Sequence, residues 1–186
     1  MINAEQIRLK GVVNTQKVNH FIAKNLDRDS IVIDLGCGKG DRLFFIHKFL
    51  NYQSFGVEVF EDYVNETEEK GLFVYKEDIK SFLNRLEIPD PKRITFIMID
   101  VIEHFTDEDA LFCLDKMKEK GDSIIIFTPE GEFDQEEYDD NSHQKHLSEW
   151  SKKKLEKLGF VAEIEEDFHI MDNGDSTPVV YAKWKK

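Results

Sequence analysis

The sequence is poor in cysteine, proline and glycine, and it has no long hydrophobic run. Only 2 Cys, 4 Pro and 10 Gly occur among its 186 residues, which excludes a disulfide framework, a collagen-like chain and a low-complexity tract. The longest apolar runs, Ile94 to Ile99 (interrupted by Thr95) and Ile124 to Phe127, are far shorter than the roughly 18 residues of a membrane-spanning helix. The first residues lack the apolar stretch of an export signal. We therefore expect a cytoplasmic chain with reduced thiols and no membrane partner.

Basic residues are too few to balance the acidic ones. The chain carries 25 Lys and Arg against 38 Asp and Glu, a net charge of -13. Such a field repels a phosphate backbone, so we expect no nucleic-acid partner. A neutral or cationic small molecule, or a basic protein segment, is easier to accommodate. Seven of the acids crowd into eleven positions: Glu130, Glu132, Asp134, Glu136, Glu137, Asp139 and Asp140.

Apolar strands alternate with amphipathic helices along most of the chain. Strands are predicted at residues 31–35, 54–59, 72–75, 94–99 and 123–127, and helices at 15–26, 41–50, 61–70, 79–86 and 107–120. This order predicts an α/β fold with a mostly parallel sheet and helices on both faces. A further helix capped by Ser151 is predicted to end near Gly159. Strands at 160–170 and 178–184, joined by a turn at 172–175, then predict a C-terminal antiparallel hairpin.

We expect a single domain over residues 1–186, because no linker or internal repeat interrupts this pattern. Residues 1–28 are expected to form an N-terminal helical cap. Residues 128–147 have no usable periodicity and are expected to form an acidic loop or lid beside the substrate. The sequence leaves the oligomeric state open.

A Gly-x-Gly-x-Gly turn follows the first predicted strand and opens the next helix. Its glycines are Gly36, Gly38 and Gly40, and glycine there permits positive φ and close backbone approach. A dinucleotide fingerprint would need glycine at Asp41, and a P-loop would need Ser or Thr directly after Lys39. Both patterns fail. We therefore expect the turn to hold a ligand without a pyrophosphate group.

Two acids stand at the ends of the first two predicted strands. Asp34 precedes the glycine turn, and Glu58 follows about 22 residues after the first glycine. Ligands of open α/β sheets bind at the carboxyl ends of the strands, where an acid in the position of Glu58 can accept both hydroxyls of a ribose. Together the two acids indicate a nucleoside that carries positive charge rather than phosphate.

The ordered motifs resemble those of a known family. They are Asp34-Leu35-Gly36-Cys37-Gly38-Lys39-Gly40, Glu58, Glu77-Asp78-Ile79 and Ile99-Asp100-Val101-Ile102-Glu103-His104-Phe105. Over about residues 15–170 the chain resembles class I S-adenosylmethionine-dependent methyltransferases. The stretches Phe127-Thr128-Pro129 and His146-Leu147-Ser148-Glu149-Trp150 resemble the small type-11 branch, which includes ubiquinone-type methyltransferases. The resemblance implies a Rossmann-like seven-stranded sheet, S-adenosyl-L-methionine as cofactor and S-adenosyl-L-homocysteine as product.

The resemblance also assigns the cofactor site residue by residue. It implies that the backbone from Asp34 to Gly40 wraps the methionine part and that Glu58 holds the ribose. It places Asp78 at the adenine amino group, although Asp78 is equally suited to cap the following helix. In full, the cofactor-binding residues it implies are Asp34, Leu35, Gly36, Cys37, Gly38, Gly40, Glu58, Val59, Asp78, Ile79, Asp100, Val101 and Ile102.

Methyl transfer from a sulfonium mainly requires alignment of the reactants and exclusion of water. A hydroxyl acceptor also needs a base, for which His104 is the first candidate and His143 and His146 are the others. His104 could equally have a structural role. Expected acceptor contacts are Glu103, Phe133 and Trp150.

The spacing of His143 and His146 beside several acids also fits a metal site, but it is a helical spacing inside a predicted loop. A mobile lid is favoured there, and no metal ion is expected. We expect transfer to a small-molecule acceptor, first to oxygen and then to nitrogen or carbon. A protein methyltransferase acting on a basic segment and a non-catalytic cofactor-binding module remain alternatives.

Overall fold

A seven-stranded sheet organises the chain in a computed structural model, which describes residues 4–89, 92–133, 135–137, 139–170 and 176–186. The strands are β1 (Ser30–Leu35), β2 (Ser54–Glu58), β3 (Val74–Lys76), β4 (Arg93–Ile99), β5 (Ser123–Pro129), β6 (Val161–Ile170) and β7 (Ser176–Lys185). Their order across the sheet is β3-β2-β1-β4-β5-β7-β6. The first five pair in parallel, and β7 pairs antiparallel with both β5 and β6. The predicted mostly parallel sheet with an antiparallel C-terminal pair is confirmed.

Six α-helices connect or cover the strands in the described part of the chain. They are α1 (Ala4–Asn25), α2 (Asp41–Phe44), α3 (Glu61–Glu69), α4 (Ile79–Arg85), α5 (Asp107–Lys120) and α6 (Lys152–Lys157). A π-helical segment (Phe45–Phe49) continues α2, and short 3-10 helices lie at Ile102–His104 and Ser142–Gln144. None of the described helices is long and apolar enough to cross a membrane.

The core lies on both faces of the sheet, because alternate strand residues point to opposite sides. On β1, Ile33 and Leu35 pack on the face covered by α4, α5 and α6, while Val32 packs on the other face. Val18 and Ile22 of α1 contribute to that second cluster. The described part of the N-terminal helix therefore packs on one face of the sheet.

Some element boundaries differ from the predicted ones. Helix α1 begins at Ala4 rather than at residue 15, and β7 begins at Ser176 rather than at 178. Strand β7 thus contains Pro178, opposite a stretch where the register with β6 shifts between Glu165 and His169. Such irregularities are where a strand tolerates proline, which cannot donate to the ladder. The turn predicted at 172–175 lies outside the described residues.

The order of the parallel strands reverses at β1, which lies between β2 and β4. Strand β1 pairs with β2 on one side and with β4 on the other. The chain leaves β1 toward one edge of the sheet and later returns to build the other half. A crevice therefore opens at the carboxyl ends of β1 and β4, which is the standard ligand position in such sheets.

Candidate functional site

A cleft of about 620 Å³ lies at the carboxyl ends of β1 and β4, where the strand order reverses. Its volume falls within the range of about 300 to 1,000 Å³ that is typical of small-molecule sites. Nine of the residues predicted to bind the cofactor line it: Gly36, Cys37, Gly38, Glu58, Val59, Asp78, Ile79, Asp100 and Val101. The carboxyl ends of four neighbouring strands, β3, β2, β1 and β4, thus converge on one cavity.

The glycine turn is held against β2 and leaves its middle residue open. The amides of Gly36 and Cys37 donate to the carbonyl of Val57 over 2.8 and 3.2 Å. Gly36 has φ of 72°, and a Cβ there would lie 2.7 Å from Val101 Cγ2. Gly38 has φ of 53°, yet a Cβ there would meet no atom within 4 Å. Gly36 is therefore required by packing, whereas the backbone at Gly38 faces free space beside the cleft.

The side chain of Glu58 is held by backbone amides of the glycine turn and of the segment that follows β2. Its Oε2 accepts from the amide of Gly38 over 2.9 Å, and its Oε1 accepts from the amides of Val59 and Phe60 over 2.8 and 2.9 Å. A carboxylate offers about four acceptor positions, so one remains beyond these three bonds. The carboxylate is thus preorganised at the cleft with capacity to accept from a ligand hydroxyl.

Asp34 lies directly behind the glycine turn and is buried, with 2% of its surface exposed. Its Oδ2 has no hydrogen-bond partner. Burial raises its pKa to about 7, with Arg42 opposing and Glu58 reinforcing the rise. An unpartnered buried carboxyl of this kind favours positive charge nearby. Asp34 does not itself line the cleft, so its role in binding a cofactor stays a prediction.

Three other predicted cofactor residues also lie away from the cleft surface. Leu35 and Ile102 have fully buried side chains in the core behind it. Gly40 packs against Thr67, whose Oγ1 would stand 2.7 Å from a Cβ at that position. These residues shape the cleft from behind, and their direct contact with a cofactor stays a prediction.

Asp100 begins the loop after β4 in a strained backbone conformation. Its φ is 54°, in the left-handed region that Asp tolerates better than most residues and that recurs at functional sites. Its amide donates to the carbonyl of Phe127 over 2.9 Å, which fixes the bend. Asp100 lines the cleft with part of its surface exposed, and desolvation raises its pKa, with Arg42 opposing the rise. Asp100 therefore adds to the negative potential on the floor of the cleft.

Asp78 caps a helix as well as bordering the cleft. Its Oδ1 accepts from the amide of Ser81 over 2.9 Å at the start of α4, and this bond lowers its pKa. Val59 and Ile79 line the cleft beside it. The capping role is observed, and the adenine contact stays a prediction.

Sequence reasoning missed several residues of the cleft wall. Arg42 is half-buried and donates to Asn19 Oδ1 over 2.9 Å, which ties α2 to α1. Asp139, from the acidic segment, accepts from the Tyr63 hydroxyl over 3.0 Å and pairs with Lys39 Nζ at 3.1 Å. Nothing in the sequence distinguished these charges from ordinary surface residues, because their partners are far away along the chain.

A second cavity, of about 610 Å³, lies next to the cleft. The three predicted acceptor contacts, Glu103, Phe133 and Trp150, all line it together with His146. Trp150 is 1% exposed, and its Nε1 donates to Ser148 Oγ over 2.9 Å. Its indole is therefore part of the cavity's supporting wall. His104 lines the first cleft, so the adjacent residues Glu103 and His104 separate the two cavities.

Two of the three candidate histidines come together in that dividing wall. The rings of His104 and His146 are 4.9 Å apart between centroids. Burial and the proximity of His146 lower the pKa of His104 to about 4, so its ring is neutral near pH 7. His143 is exposed and lines the first cleft, away from the second cavity.

Glu103 completes this group. One carboxylate oxygen of Glu103 and one ring nitrogen from each of His104 and His146 lie within 4.8 Å of one another. Its Oε2 accepts from Thr128 Oγ1 over 2.8 Å, while its Oε1 is buried without a hydrogen-bond partner. Burial, reinforced by Asp100, raises the pKa of Glu103. The sequence placed His146 with His143, whereas the fold places it with Glu103 and His104.

The sequence also matches a family model. The model is described as MetW, methionine biosynthesis protein MetW, and it matches residues 17–134, more than half of the chain. No curated protein sequence matches the chain significantly.

Solved structures with similar folds have differing acceptors in their descriptions. A SAM-dependent methyltransferase from Archaeoglobus fulgidus is 19% identical with a TM-score of 0.66, over 94% of this chain and 94% of that chain. An rRNA methylase from Streptococcus thermophilus is 15% identical with a TM-score of 0.58, over 92% and 96%. Magnesium protoporphyrin IX methyltransferase (ChlM) from Synechocystis PCC 6803, solved with SAM bound, is 17% identical with a TM-score of 0.61, over 98% and 85%. These similarities confirm the class I methyltransferase fold.

Proposed function

The chain belongs to the MetW family, and from that premise we propose that it transfers a methyl group from S-adenosyl-L-methionine to a small-molecule acceptor, most favourably to oxygen. The observation that carries this proposal is the cleft at the strand ends. It combines an open glycine turn with the preorganised carboxylate of Glu58, and Asp34, whose buried Oδ2 has no hydrogen-bond partner, lies behind it.

These residues fit the cofactor chemically. The remaining acceptor capacity of Glu58 suits a ribose hydroxyl, and Val59 and Ile79 offer apolar surface for a purine. The negative potential from Asp34 and Asp100 suits a ligand with a sulfonium and an ammonium group. When bound, S-adenosylmethionine supplies a methyl group that its sulfonium charge already activates.

The chain's own residues then have to orient the acceptor, exclude water and handle a proton. Glu103, His104 and His146 lie in the wall between the cofactor cleft and the second cavity, which is where an acceptor in that cavity would approach the methyl group. A hydroxyl acceptor gives up its proton as its oxygen bonds to the methyl carbon and the carbon–sulfur electron pair returns to sulfur. We assign the handling of that proton to this group.

A small-molecule acceptor is favoured over a nucleic acid. The second cavity is lined by Glu103, Asp107, Glu132 and Glu149, with Lys154 as the basic exception among its charged side chains. Phosphate groups are repelled by such a wall. The segment 128–147 contributes to both cavities, and we propose that it shields the acceptor as a lid. Its acidity also suits a basic protein segment, which is the second candidate acceptor.

Calorimetric titration tests the cofactor assignment. We expect S-adenosylmethionine and S-adenosylhomocysteine to bind the wild-type chain, NAD not to bind, and Glu58→Ala to weaken binding roughly 10- to 100-fold, because a hydrogen bond to a carboxylate contributes about 1.5 to 3 kcal/mol. Glu61→Ala is the matched control, since Glu61 is an exposed acid on the next helix that does not line the cleft. Unchanged affinity in Glu58→Ala, with circular dichroism confirming the fold, would contradict the assignment.

Transfer of a radiolabelled methyl group tests the acceptor class. The labelled cofactor is incubated with the chain and with three separate pools: small metabolites, RNA and proteins. We expect label in the metabolite pool. Label in protein would support the basic-segment acceptor instead, and label in RNA would overturn the argument from charge. Cofactor binding without label in any pool would indicate a non-catalytic binding module.

A further inference from the structure

We propose that Glu103, His104 and His146 bind a divalent transition-metal ion in the wall between the two cavities. One carboxylate oxygen and two imidazole nitrogens already lie within 4.8 Å of one another. Ligands about 2.0 to 2.2 Å from a common ion stand about 3 to 3.5 Å apart, so only a small inward movement would close the site. The handling of the acceptor's proton is the only role proposed above for this three-residue grouping, and it does not require an ion.

Each of the two histidines directs one ring nitrogen at a backbone carbonyl oxygen. His104 Nδ1 lies 3.2 Å from the carbonyl oxygen of Lys145, and His146 Nδ1 lies 2.6 Å from that of Phe133. A carbonyl oxygen only accepts, so each Nδ1 carries the hydrogen and the Nε2 of a neutral ring keeps its lone pair. Metal-ligating histidines are commonly oriented in this way, by a carbonyl or carboxylate that accepts from the other ring nitrogen.

Glu103 supplies an independent reason to expect a cation. Its residue is 3% exposed, one oxygen is satisfied by Thr128, and the other is buried with no partner in the described chain. An unsatisfied buried carboxyl oxygen is unfavourable unless it is protonated or faces a cation. Coordination would satisfy the orphan oxygen while Thr128 holds the other one in place.

The backbone also fixes the distant third ligand. The carbonyl of Glu103 accepts from the amides of Leu147 and Ser148 over 2.8 and 3.1 Å. The amide of His146 donates to the carbonyl of Gln135 over 3.0 Å. The first two bonds attach the segment that carries His146 directly to the backbone of Glu103. The three ligands are therefore brought together by main-chain contacts that do not depend on an ion.

The donor set indicates the class of ion. Two imidazoles and one carboxylate suit Zn²⁺, Mn²⁺, Fe²⁺ or Co²⁺, whereas Ca²⁺ and Mg²⁺ favour oxygen ligands. Three protein ligands leave coordination positions open toward the cavities. If the proposed methyl transfer is correct, on which this last step rests, the cation would stabilise the negative charge of an acceptor oxygen as its proton leaves to solvent. The histidines would then act as ligands, and no histidine base would be required.

Cobalt titration of the metal-free full chain tests the site. We expect Co²⁺ to bind with a stoichiometry of one and to develop a visible d–d absorption band. Glu103→Gln and His146→Gln should each weaken binding at least tenfold. His143→Gln is the matched control, because His143 lies three residues from His146 but lines only the first cleft, and it should leave the titration unchanged.

S-adenosylhomocysteine affinity and circular dichroism are measured on the same variants. Lost cobalt binding with retained fold and retained S-adenosylhomocysteine binding supports the site. No cobalt band in the wild type, or equal affinity in wild type, Glu103→Gln and His146→Gln, overturns it. If Glu103→Gln fails to fold, the half-exposed His146 still provides the test. Failure of S-adenosylhomocysteine to bind the wild type would reject the proposed function and leave the cobalt result to decide the metal site alone.

Discussion

At the scale of single residues, Asp34 is a buried acid whose charged form is unfavourable in the ligand-free chain. Its Oδ2 is unpartnered and its pKa is about 7, against an ordinary 3.8. A cationic ligand in the cleft would favour that same charged form, so the strain belongs to the state without cofactor.

Asp34→Asn is expected to stabilise the ligand-free chain at high pH and to weaken cofactor binding. Because the folded pKa lies above the unfolded one, the stability that Asp34 contributes is complete below about pH 4 and is lost as the pH rises through about 7. Asn does not ionise and escapes that loss. The variant's gain in unfolding free energy over wild type should thus be larger at about pH 8 than at about pH 5, by on the order of 1 to 3 kcal/mol.

Urea unfolding at the two pH values measures this difference. Asp115→Asn, an exposed acid in the middle of α5, serves as the control and should show the same small effect at both. An equal gain for Asp34→Asn at both pH values would show that its burial does not penalise the charge.

At the scale of elements, Asp78 caps helix α4 and is also predicted to contact the adenine of the cofactor. We expect Asp78→Ala to lower the unfolding free energy by about 1 kcal/mol, because the side chain caps the amide of Ser81. Asp78→Ser should restore most of that loss, since serine also caps helices well. Denaturation and S-adenosylhomocysteine titration of both variants separate the roles. Weakened binding in both supports the adenine contact, whereas binding that recovers in Asp78→Ser assigns Asp78 to the helix alone.

Sequence patterns predicted the elements better than the connections between them. Glu58 could be placed at the carboxyl edge from the end of its strand, and the family resemblance placed Asp100 in the same pocket. The structure brings both to the cleft. The meeting of His104 with His146 could not be predicted, because backbone bonds in an aperiodic segment create it. The same applies to Asp139, whose partner Lys39 belongs to the glycine turn.

The start of α1 illustrates a different limit. The sequence of its first residues shows no regular spacing of apolar residues, and Gly11 lies among them. Periodicity therefore identified only the later part of the helix. Whether residues 1–28 act as a cap over the ligand stays a prediction.

For the whole molecule, the net charge of -13 predicts that the chain does not bind nucleic acid. We expect no binding of a fluorescent oligoribonucleotide of about 30 nucleotides at about 50 mM salt, because affinity for RNA depends on releasing counterions from phosphates. Fluorescence anisotropy measures the binding, with a lysine-rich peptide as the positive control. Micromolar affinity that falls as salt is added would reveal a basic surface strong enough to override the overall charge.

The strand order of the whole sheet has a consequence for how the chain reaches its fold. Strand β5 ends at Pro129, but its outer neighbour in the sheet, β7, begins only at Ser176. Strand β6 precedes β7 in the chain, yet it pairs with β7 and not with β5. During synthesis the outer edge of β5 therefore stays unpaired until β7 has emerged. That edge belongs to the fully buried run Ile124, Ile125 and Ile126. Late pairing between distant segments is slow, and an open apolar edge invites association with other chains. Aggregation of nascent chains, rather than loss of native stability, is therefore the hazard built into this topology.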